Sequence, residues 1–250
     1  MPVKETLITG NSDGGKRPEQ IASWAHLIGF LLIGAGVAGM GLLAQHGHAG
    51  GGAANGQLAS HGAAIQIYLT AIFMDWALFY YCWAEVHRRG GSLWSLSGGR
   101  WTSWKSVATD IGIAVPFWFV WEGTAYGVSR LLGPSSAKTV DSLLPKSLPE
   151  VLLWIATCIT AGICEEMVFR GYLQRQFHAL GGGIVAAVVA QGLVFGLFHF
   201  YQGWKQVTVI SVVGILYGML AAWRGNLRVN IISHSATDLW EGWLKFLVFR

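Results

Sequence analysis

The sequence predicts an all-α fold, a polytopic membrane helix bundle of about seven transmembrane helices within a range of six to eight. Of the 250 residues, 53% are hydrophobic and only 12% are charged, whereas about 25% are charged in a typical soluble domain. The chain also contains 34 glycines and 13 tryptophans, residue types favoured in membrane helices and at their interfaces. These observations indicate an integral membrane protein whose partner is the lipid bilayer.

Apolar segments along the chain are the candidates for transmembrane helices, because about 20 apolar residues suffice to cross a bilayer as a helix. In chain order they are 22–44, 64–86, 106–128, 149–169, 184–201, 206–223 and 229–248. The third segment is interrupted by Asp110, Pro116 and Glu122. These residues predict a helix that is kinked or that lines a cavity.

The first loops predict the orientation of the chain in the membrane. The loop at 45–63 contains no Lys or Arg, whereas the loop at 87–105 is basic. Its basic residues are Arg88, Arg89, Arg100 and Lys105. By the positive-inside rule, the 87–105 loop and the N-terminal tail are cytoplasmic and the 45–63 loop is outside. Lys245 and Arg250 would then lie outside, against the rule, which leaves the number of spans and the orientation of the C-terminus open.

Three regions are predicted along the chain. Residues 1–20 are polar and lack the early apolar run of a signal peptide, which predicts a disordered cytoplasmic tail. Residues 21–148 are predicted to form N-terminal membrane helices, and residues 149–248 a helical core that carries the candidate site. The formal charge of +4 is small and no basic run is long enough for a nucleic-acid patch, so no nucleic-acid partner is expected.

Two adjacent carboxylates and an arginine, Glu165, Glu166 and Arg170, lie at the end of an apolar stretch whose residues 151–164 carry no charge. Ionisable groups inside the hydrocarbon layer are costly and usually face a functional cavity. Residues four apart share a helix face, so Glu166 is expected to pair with Arg170. Glu165 is displaced to a neighbouring face and is predicted to act as a general base in apolar surroundings.

His199 is the first predicted partner of Glu165. If the helices on either side of Gly181–Gly183 are antiparallel, Glu165 lies 17 residues before Gly182 and His199 lies 17 residues after it. At about 1.5 Å per residue, both side chains lie roughly 25 Å from the turn and can face each other.

A third helix brings His234 and, four residues later on the same face, Asp238. His234 is predicted to lie roughly 14 Å from the turn near 225. It reaches Glu165 if the polar helix end at 170–180 protrudes roughly 10 Å into the cytoplasm. These groups would then converge in a cavity that opens to the cytoplasm.

Three motifs on separate apolar helices carry a resemblance to a known family. In chain order they are Glu165-Glu166-x-x-x-Arg170, Phe195-x-x-x-His199 and His234-x-x-x-Asp238. They are similar to the ordered motifs of the CAAX protease and bacteriocin-processing family, which includes the type II CAAX prenyl endopeptidase that cleaves the last three residues from prenylated proteins. The resemblance covers about residues 149–242, and residues 1–148 match only in their general membrane character.

The resemblance implies a hydrolase, an intramembrane endopeptidase of glutamate or metallo type that acts on a peptide or lipidated protein substrate. The expected location is a bacterial inner or plasma membrane. Glu165 would activate the attacking water and His199 would help to hold it. His234 and the residue at position 238 would stabilise the oxyanion of the tetrahedral intermediate.

Glu166 and Arg170 would, by the same resemblance, hold the helix and orient the site. The family often carries Asn at the position of Asp238, and an ionised Asp can only accept hydrogen bonds. Asp238 would therefore be protonated, orient His234 or serve a metal. No cofactor and a divalent metal such as zinc are both compatible with the motifs, although the HExxH pattern is absent. The ligands of such a metal would be Glu165, His199, His234 and Asp238.

Two other functions use the same residues. One is a non-enzymatic membrane protein of the same fold, such as a bacteriocin immunity or partner-binding protein, and the other is an ion pathway through the polar cluster. Taken alone, Glu166–Arg170 is a structural ion pair and His234–Asp238 an interhelical polar pair. The combination of all three motifs in order favours the peptidase.

Other polar residues near or in the spans are predicted to pair across helices or to line the cavity. They are His26, Asp75, Asp110 and Glu122. The aromatic run at 117–121 is predicted to contact lipid or neighbouring helices and not to form a substrate box. His46, His48 and His61 are assigned to a solvated Gly-rich loop in preference to a metal site.

Overall fold

The computed structural model describes residues 20–50, 61–92, 97–133, 144–240 and 242, of which 44–50 and 61–63 are described by their backbone alone. All regular structure in these ranges is helical, which confirms the predicted all-α class. The α-helices are α1 (Trp24–Gly50), α2 (His61–Arg88), α3 (Trp104–Leu132), α4 (Leu148–Glu165), α5 (Gln174–Phe177), α6 (Gly183–Phe198), α7 (Trp204–Arg224) and α8 (Arg228–Leu239). Two π-helical stretches, π1 (Glu166–Leu173) and π2 (His178–Gly182), flank α5, and a 3₁₀ turn, Phe200–Gln202, precedes α7.

Four helical stretches in the described ranges are long and apolar enough to cross a membrane, so the protein is an integral membrane protein. They are Trp24–Leu43, Ala64–Arg88, Leu148–Phe198 and Trp204–Arg224. The helices α3 and α8 coincide with two further predicted segments but are not among these four, and the count of about seven spans stays a prediction.

Several sequence-based expectations concern residues outside the described ranges. They are the tail at 1–19, residues 51–60 of the 45–63 loop, residues 93–96 of the 87–105 loop, and the C-terminal Lys245 and Arg250. The loop assignment of three histidines is wrong: His46 and His48 lie in α1, and His61 is the first residue of α2, because both helices extend beyond the apolar segments. The division at 148/149 into N-terminal helices and a core also stays a prediction.

The long helical stretch from Leu148 to Phe198 reverses direction at the three glycines predicted to end it. Gly181 has φ 98° and Gly183 has φ 70°, left-handed values that glycine adopts without a side-chain clash. The turn returns α6 against α5, π1 and π2. The hairpin assumed from the sequence is therefore present.

The segment that begins at Glu166, directly after Glu165 at the end of α4, is π-helical and not α-helical as the sequence pattern suggested. All eight residues of π1, from Glu166 to Leu173, are buried, because α2, α6 and α7 pack around this stretch. π-helical turns are rare and often occur at functional sites. Their wider turn places the buried polar groups of π1 toward several neighbouring helices.

Small residues let α6 and α7 approach closely beside π1. A side chain at Gly196 would collide with the Ser211 hydroxyl and the Val207 carbonyl, and one at Gly192 would collide with Ile215. Close backbone contact over small residues is a common way for membrane helices to associate. It holds α7 near enough for its carbonyl groups to reach the side chains of π1.

The start of α1 is fixed to the core by a buried glutamine. The Gln176 side chain accepts hydrogen bonds from the backbone N–H groups of Ile21 and Ala22, both at 3.0 Å, and donates to the Ala22 carbonyl. One turn later, His26 Nδ1 lies 2.8 Å from the Tyr172 hydroxyl. These contacts join the N-terminal helices to α5 and π1, the elements that follow Glu165.

Asp110 ties α3 to the α7–α8 turn. It is fully buried and accepts hydrogen bonds from Arg224 Nη2 at 2.8 Å, Arg228 Nε at 2.8 Å and Trp101 Nε1 at 2.9 Å. Arg228 also donates to the Gly98 carbonyl. The predicted role of Asp110 in pairing across helices is thus observed, and α3 continues as a helix through Pro116.

Replacing Asp110 with Asn is expected to lower the stability of the bundle. The change leaves Arg224 and Arg228 without their carboxylate. Breaking a fully buried ion pair costs about 3–5 kcal/mol, and these arginine side chains are 22% and 17% exposed, so we expect on the order of 2 kcal/mol. Thermal unfolding in detergent, with Thr109→Ala as the neighbouring control, measures it. Equal midpoints for the two variants would contradict the assignment.

Candidate active site

Glu166 is the centre of a buried hydrogen-bond network. Its side chain is fully buried, and Oε1 accepts from Arg170 Nη1 at 2.9 Å and from His234 Nδ1 at 2.8 Å. Oε2 accepts from Asn230 Nδ2 at 3.0 Å. The predicted Glu166–Arg170 pair is therefore present. The network also reaches α8, which supplies two of the three donors.

The contact with Glu166 fixes the orientation of the His234 ring. A carboxylate can only accept, so Nδ1 carries the hydrogen and Nε2 points to the opposite side. There, Nε2 lies 3.6 Å from Glu165 Oε2 and 3.7 Å from Asp238 Oδ2. His234 thus has one carboxylate behind it and two in front of it.

The carboxylates around His234 differ in their access to the surroundings. The Glu166 side chain is 0% exposed, Glu165 is 18% exposed and Asp238 is 35% exposed. The exposed fraction rises from the back of the imidazole to its front. The open side of the cluster is therefore the side of Glu165 and Asp238, and Glu166 is closed to the surroundings.

Aromatic rings enclose the imidazole and the arginine. Tyr217 stacks on His234 with ring centres 5.3 Å apart, and the Arg170 guanidinium lies 4.4 Å from the centre of the Phe195 ring. Phe117, from the aromatic run of α3, contacts Tyr217 at 5.1 Å. The run thus packs on helices, as predicted, and supports the wall of the site.

His199 lies at the end of α6, where Nδ1 is 2.9 Å from the Phe195 carbonyl. A carbonyl only accepts, so Nδ1 is the donor and Nε2 is the acceptor in the neutral ring. Phe195 contacts the rings of both His199, at 4.8 Å, and His234, at 6.2 Å. Among the described residues, Glu165 forms an ion pair within 4.0 Å with His234, and no such pair joins Glu165 to His199.

The metal alternative can be tested on the arrangement of the donors. Among the described residues, no group of three His, Cys, Asp or Glu side chains could hold a metal ion. His234 Nδ1 donates to Glu166, so Nε2 is the one nitrogen of this ring that could be a ligand, and it lies 3.6 Å from Glu165 Oε2 and 3.7 Å from Asp238 Oδ2. No chemical step is therefore assigned to a metal.

Sequence reasoning missed Asn230 and named Asp75 only as a residue that pairs across helices or lines the cavity. Asn230 is fully buried and bridges Glu166 and the Tyr217 carbonyl. It precedes His234 by four residues, as His234 precedes Asp238, so the four-residue spacing could have revealed it. Asp75 of α2 interacts electrostatically with Glu165, His234 and Asp238. No spacing rule connects it to them, because it lies far away in the sequence.

Fold and site together define a class: a polytopic membrane protein with a carboxylate–imidazole cluster buried in its helix bundle. Comparison with known proteins adds a similarity to a known family over part of the chain. Residues 147–240, less than half of the chain, match the family model described as type II CAAX prenyl endopeptidase Rce1-like. The predicted resemblance to this protease family is confirmed for that stretch, which contains Glu165, His199, His234 and Asp238.

A curated relative matches the same share of the chain. It is the uncharacterized protein YpbD of Bacillus subtilis (strain 168), 27% identical over 95 residues, which are 37% of this chain and 44% of that protein. The match thus spans less than half the length of either protein. No solved structure gives a significant match.

Replacing Asn230 with Ala is expected to destabilise the protein through Glu166. The carboxylate would lose one of its donors in a site closed to water, and leaving a buried polar group unsatisfied costs about 1–3 kcal/mol. Unfolding in detergent is the measurement. Thr208→Ala is the control, because the Thr208 hydroxyl is exposed and bonds only to a carbonyl of its own helix. A variant at position 230 as stable as this control would refute the bridging role.

Proposed function

We propose that the protein is an intramembrane endopeptidase that hydrolyses a peptide bond of a membrane-associated or lipidated substrate with water activated by Glu165. The observation that carries the proposal is His234, held from behind by Glu166 at 2.8 Å while its free edge faces Glu165 and Asp238. The match of residues 147–240 to a prenyl endopeptidase family supports the same conclusion.

Glu165 is the proposed general base. It has the exposure that Glu166 lacks, and a carboxylate within reach of a water is a common general base. In the proposed step, Glu165 takes a proton from water as the water oxygen attacks the scissile carbonyl carbon. The proton then passes to the leaving amine as the C–N bond breaks, which yields a carboxyl and an amine terminus. His199 Nε2 accepts a hydrogen bond from the other O–H group of this water.

His234 is the proposed donor to the oxyanion that forms in the tetrahedral intermediate. With both nitrogens protonated, the ring donates from Nδ1 to Glu166 and presents Nε2–H at the open side. Carboxylates on both sides favour this charged form. Asp238 lies 3.7 Å from Nε2 and supports the charged imidazole. An ionised Asp can fill this role, although it cannot itself donate a hydrogen bond to the oxyanion.

Location and substrate follow from two further considerations. The basic loop after α2 supports a cytoplasmic opening of the site, and the relative from Bacillus subtilis supports a bacterial plasma membrane. The name of the matching family supports a prenylated or similarly lipidated C-terminus as substrate. The bilayer would then present the lipid chain to the bundle and leave the peptide within reach of Glu165.

Replacing Glu165 with Gln is expected to abolish cleavage, by at least about 100-fold, because general-base catalysis contributes about 10²–10⁴-fold. The substrate is a farnesylated peptide ending in Cys-aliphatic-aliphatic-X, with a fluorophore and a quencher on either side of the scissile bond, in proteoliposomes. Thr157→Ala on the same helix is the control, since its hydroxyl bonds only to the Leu153 carbonyl.

Two outcomes would contradict the proposal. If Glu165→Gln cleaves as wild type does, Glu165 is not the base. If neither this peptide nor the proteins of native membranes, compared by their termini between wild type and variant, are cut, the protein is not a peptidase. Ion flux into the same liposomes that depends on Glu165 would then identify the ion pathway, and its absence would favour the partner-binding alternative.

A further inference from the structure

The 3₁₀ turn Phe200–Gln202 directly follows His199 and leads into α7. It carries Tyr201, whose ring centre lies 6.1 Å from that of His199, with an angle of 30° between the two ring planes. Tyr201 is 49% exposed, so its ring lies beside His199 and still faces the surroundings. A second side chain that a bound molecule could touch therefore lies next to a residue of the candidate site.

The hydroxyl group of Tyr201 is oriented by a neighbouring amide. Gln202 Nε2 donates a hydrogen bond to the hydroxyl oxygen at 3.0 Å, so the oxygen is the acceptor in this contact. A phenol group can accept one hydrogen bond and donate another. The hydrogen of the hydroxyl group can therefore be donated to an acceptor on a bound molecule.

Helix α1 holds the turn in place through two glycines. A side chain at Gly34 would collide with the Phe198 ring, and a Cβ atom at Gly41 would lie 2.7 Å from the Tyr201 backbone nitrogen. These glycines let the backbone of α1 approach the end of α6 and the turn that follows it. Because α1 lies outside residues 147–240, the position of Tyr201 depends on a helix that the family match does not include.

The position of Tyr201 fits a substrate position close to the scissile bond. Tyr201 interacts electrostatically with Glu165 and Asp238, the carboxylates of the open side. An extended peptide advances about 3.3 Å per residue, so a ring 6.1 Å from His199 lies within about two residues of the bond at which His199 would act. Every residue of such a peptide carries a backbone carbonyl group, which accepts a hydrogen bond from a hydroxyl group.

We propose that Tyr201 is a substrate-binding residue: its hydroxyl group, oriented by Gln202, donates a hydrogen bond to a backbone carbonyl of the peptide next to the scissile bond. This inference rests on the proposed function of Glu165. It names a side chain that binds the peptide and not its lipid chain. It also gives α1 a part in substrate binding, through the contact at Gly41.

A different role of Tyr201 would depend on a different part of its side chain. Exposed tyrosines near the ends of membrane helices often anchor the protein at the membrane surface, and the aromatic ring is the main part of such an anchor. The proposed hydrogen bond depends on the hydroxyl group. Tyr201→Phe removes the hydroxyl group and keeps the ring, so this variant separates the two roles.

The first test compares cleavage of the farnesylated fluorogenic peptide in proteoliposomes by wild type, Tyr201→Phe and Tyr80→Phe. Tyr80 is the matched control, because it is a 56% exposed tyrosine on α2. Loss of one neutral hydrogen bond weakens binding by about fivefold. A bond present in both the bound state and the transition state affects KM and not kcat. We therefore expect KM to rise about fivefold in Tyr201→Phe, with kcat within about twofold, and no change in Tyr80→Phe.

The second test needs no turnover. A farnesylated peptide whose scissile amide is replaced by a methylene–amine bond is not hydrolysed and keeps its other carbonyl groups. Its Kd for the full chain in liposomes is measured by the fluorescence anisotropy of an attached dye, after subtraction of the signal from protein-free liposomes. We expect a Kd about fivefold higher in Tyr201→Phe than in wild type or Tyr80→Phe.

A third comparison tests the contribution of α1. Gly41→Ala adds a methyl group 2.7 Å from the Tyr201 nitrogen, whereas Gly39→Ala adds the same group to the same helix where no described atom of a neighbouring element lies within 4 Å. We expect the Kd of the uncleaved peptide to rise in Gly41→Ala at least as much as in Tyr201→Phe, and to stay at the wild-type value in Gly39→Ala. Equal binding by the two glycine variants would contradict the role of α1.

These outcomes are distinguishable from the failure of the proposed function. Wild-type KM and Kd values in Tyr201→Phe would overturn the role of Tyr201, even if Glu165→Gln abolishes cleavage, and so would a fall in kcat alone. Conversely, full cleavage by Glu165→Gln would overturn the proposed function. A Kd that still depends on the Tyr201 hydroxyl group would then support the binding residue without the proposed chemistry.

Discussion

A carboxylate with no contact to water inside an apolar bundle must be matched by donors, or the bundle does not form. Glu166 meets this requirement with Arg170 from its own helix and with Asn230 and His234 from α8. The same bonds that satisfy the charge therefore dock α8 against π1. Because one of the donors is His234, the contact that stabilises the fold also sets the tautomer and direction of the imidazole in the candidate site.

Other parts of the fold keep this contact in place from a distance. The close approach of α6 and α7 over Gly192 and Gly196 brings the Gly214 carbonyl to Arg170, 3.1 Å from Nη2. Asp110 holds the turn from which α8 starts, and Gln176 anchors α1. The candidate site thus depends on helices that precede the family-like stretch as well as on those within it, which is why residues before 147 matter to it.

The features that could be predicted from the sequence are those that depend on residues close together in the chain. Apolar length predicted the helices, the three glycines predicted the turn at 181–183, and the four-residue spacing predicted the Glu166–Arg170 pair. For helices far apart in the sequence, the depth of a side chain along the helix axis could be predicted. The face of the helix from which that side chain points could not. Glu165 was expected to meet both His199 and His234, and of these two the structure brings His234 to within 3.6 Å of it. The π-helical backbone of 166–173 also changes the directions in which its side chains point around the helix axis. No residue type in the sequence predicts a π-helix here.

The neighbouring glutamates show how surroundings divide the roles of identical side chains. Glu166 accepts three hydrogen bonds and is fully buried, so it is closed to water and to other molecules. Glu165, one residue earlier, is partly exposed and lies 3.6 Å from the Nε2 edge of the His234 imidazole. Substitution at either position removes the same chemical group, but removal at 166 frees the His234 ring and uncovers Arg170, whereas removal at 165 leaves the scaffold intact. Loss of stability at one position and loss of chemistry at the other is therefore the signature that distinguishes this arrangement from a structural cluster, in which both substitutions would act on stability alone.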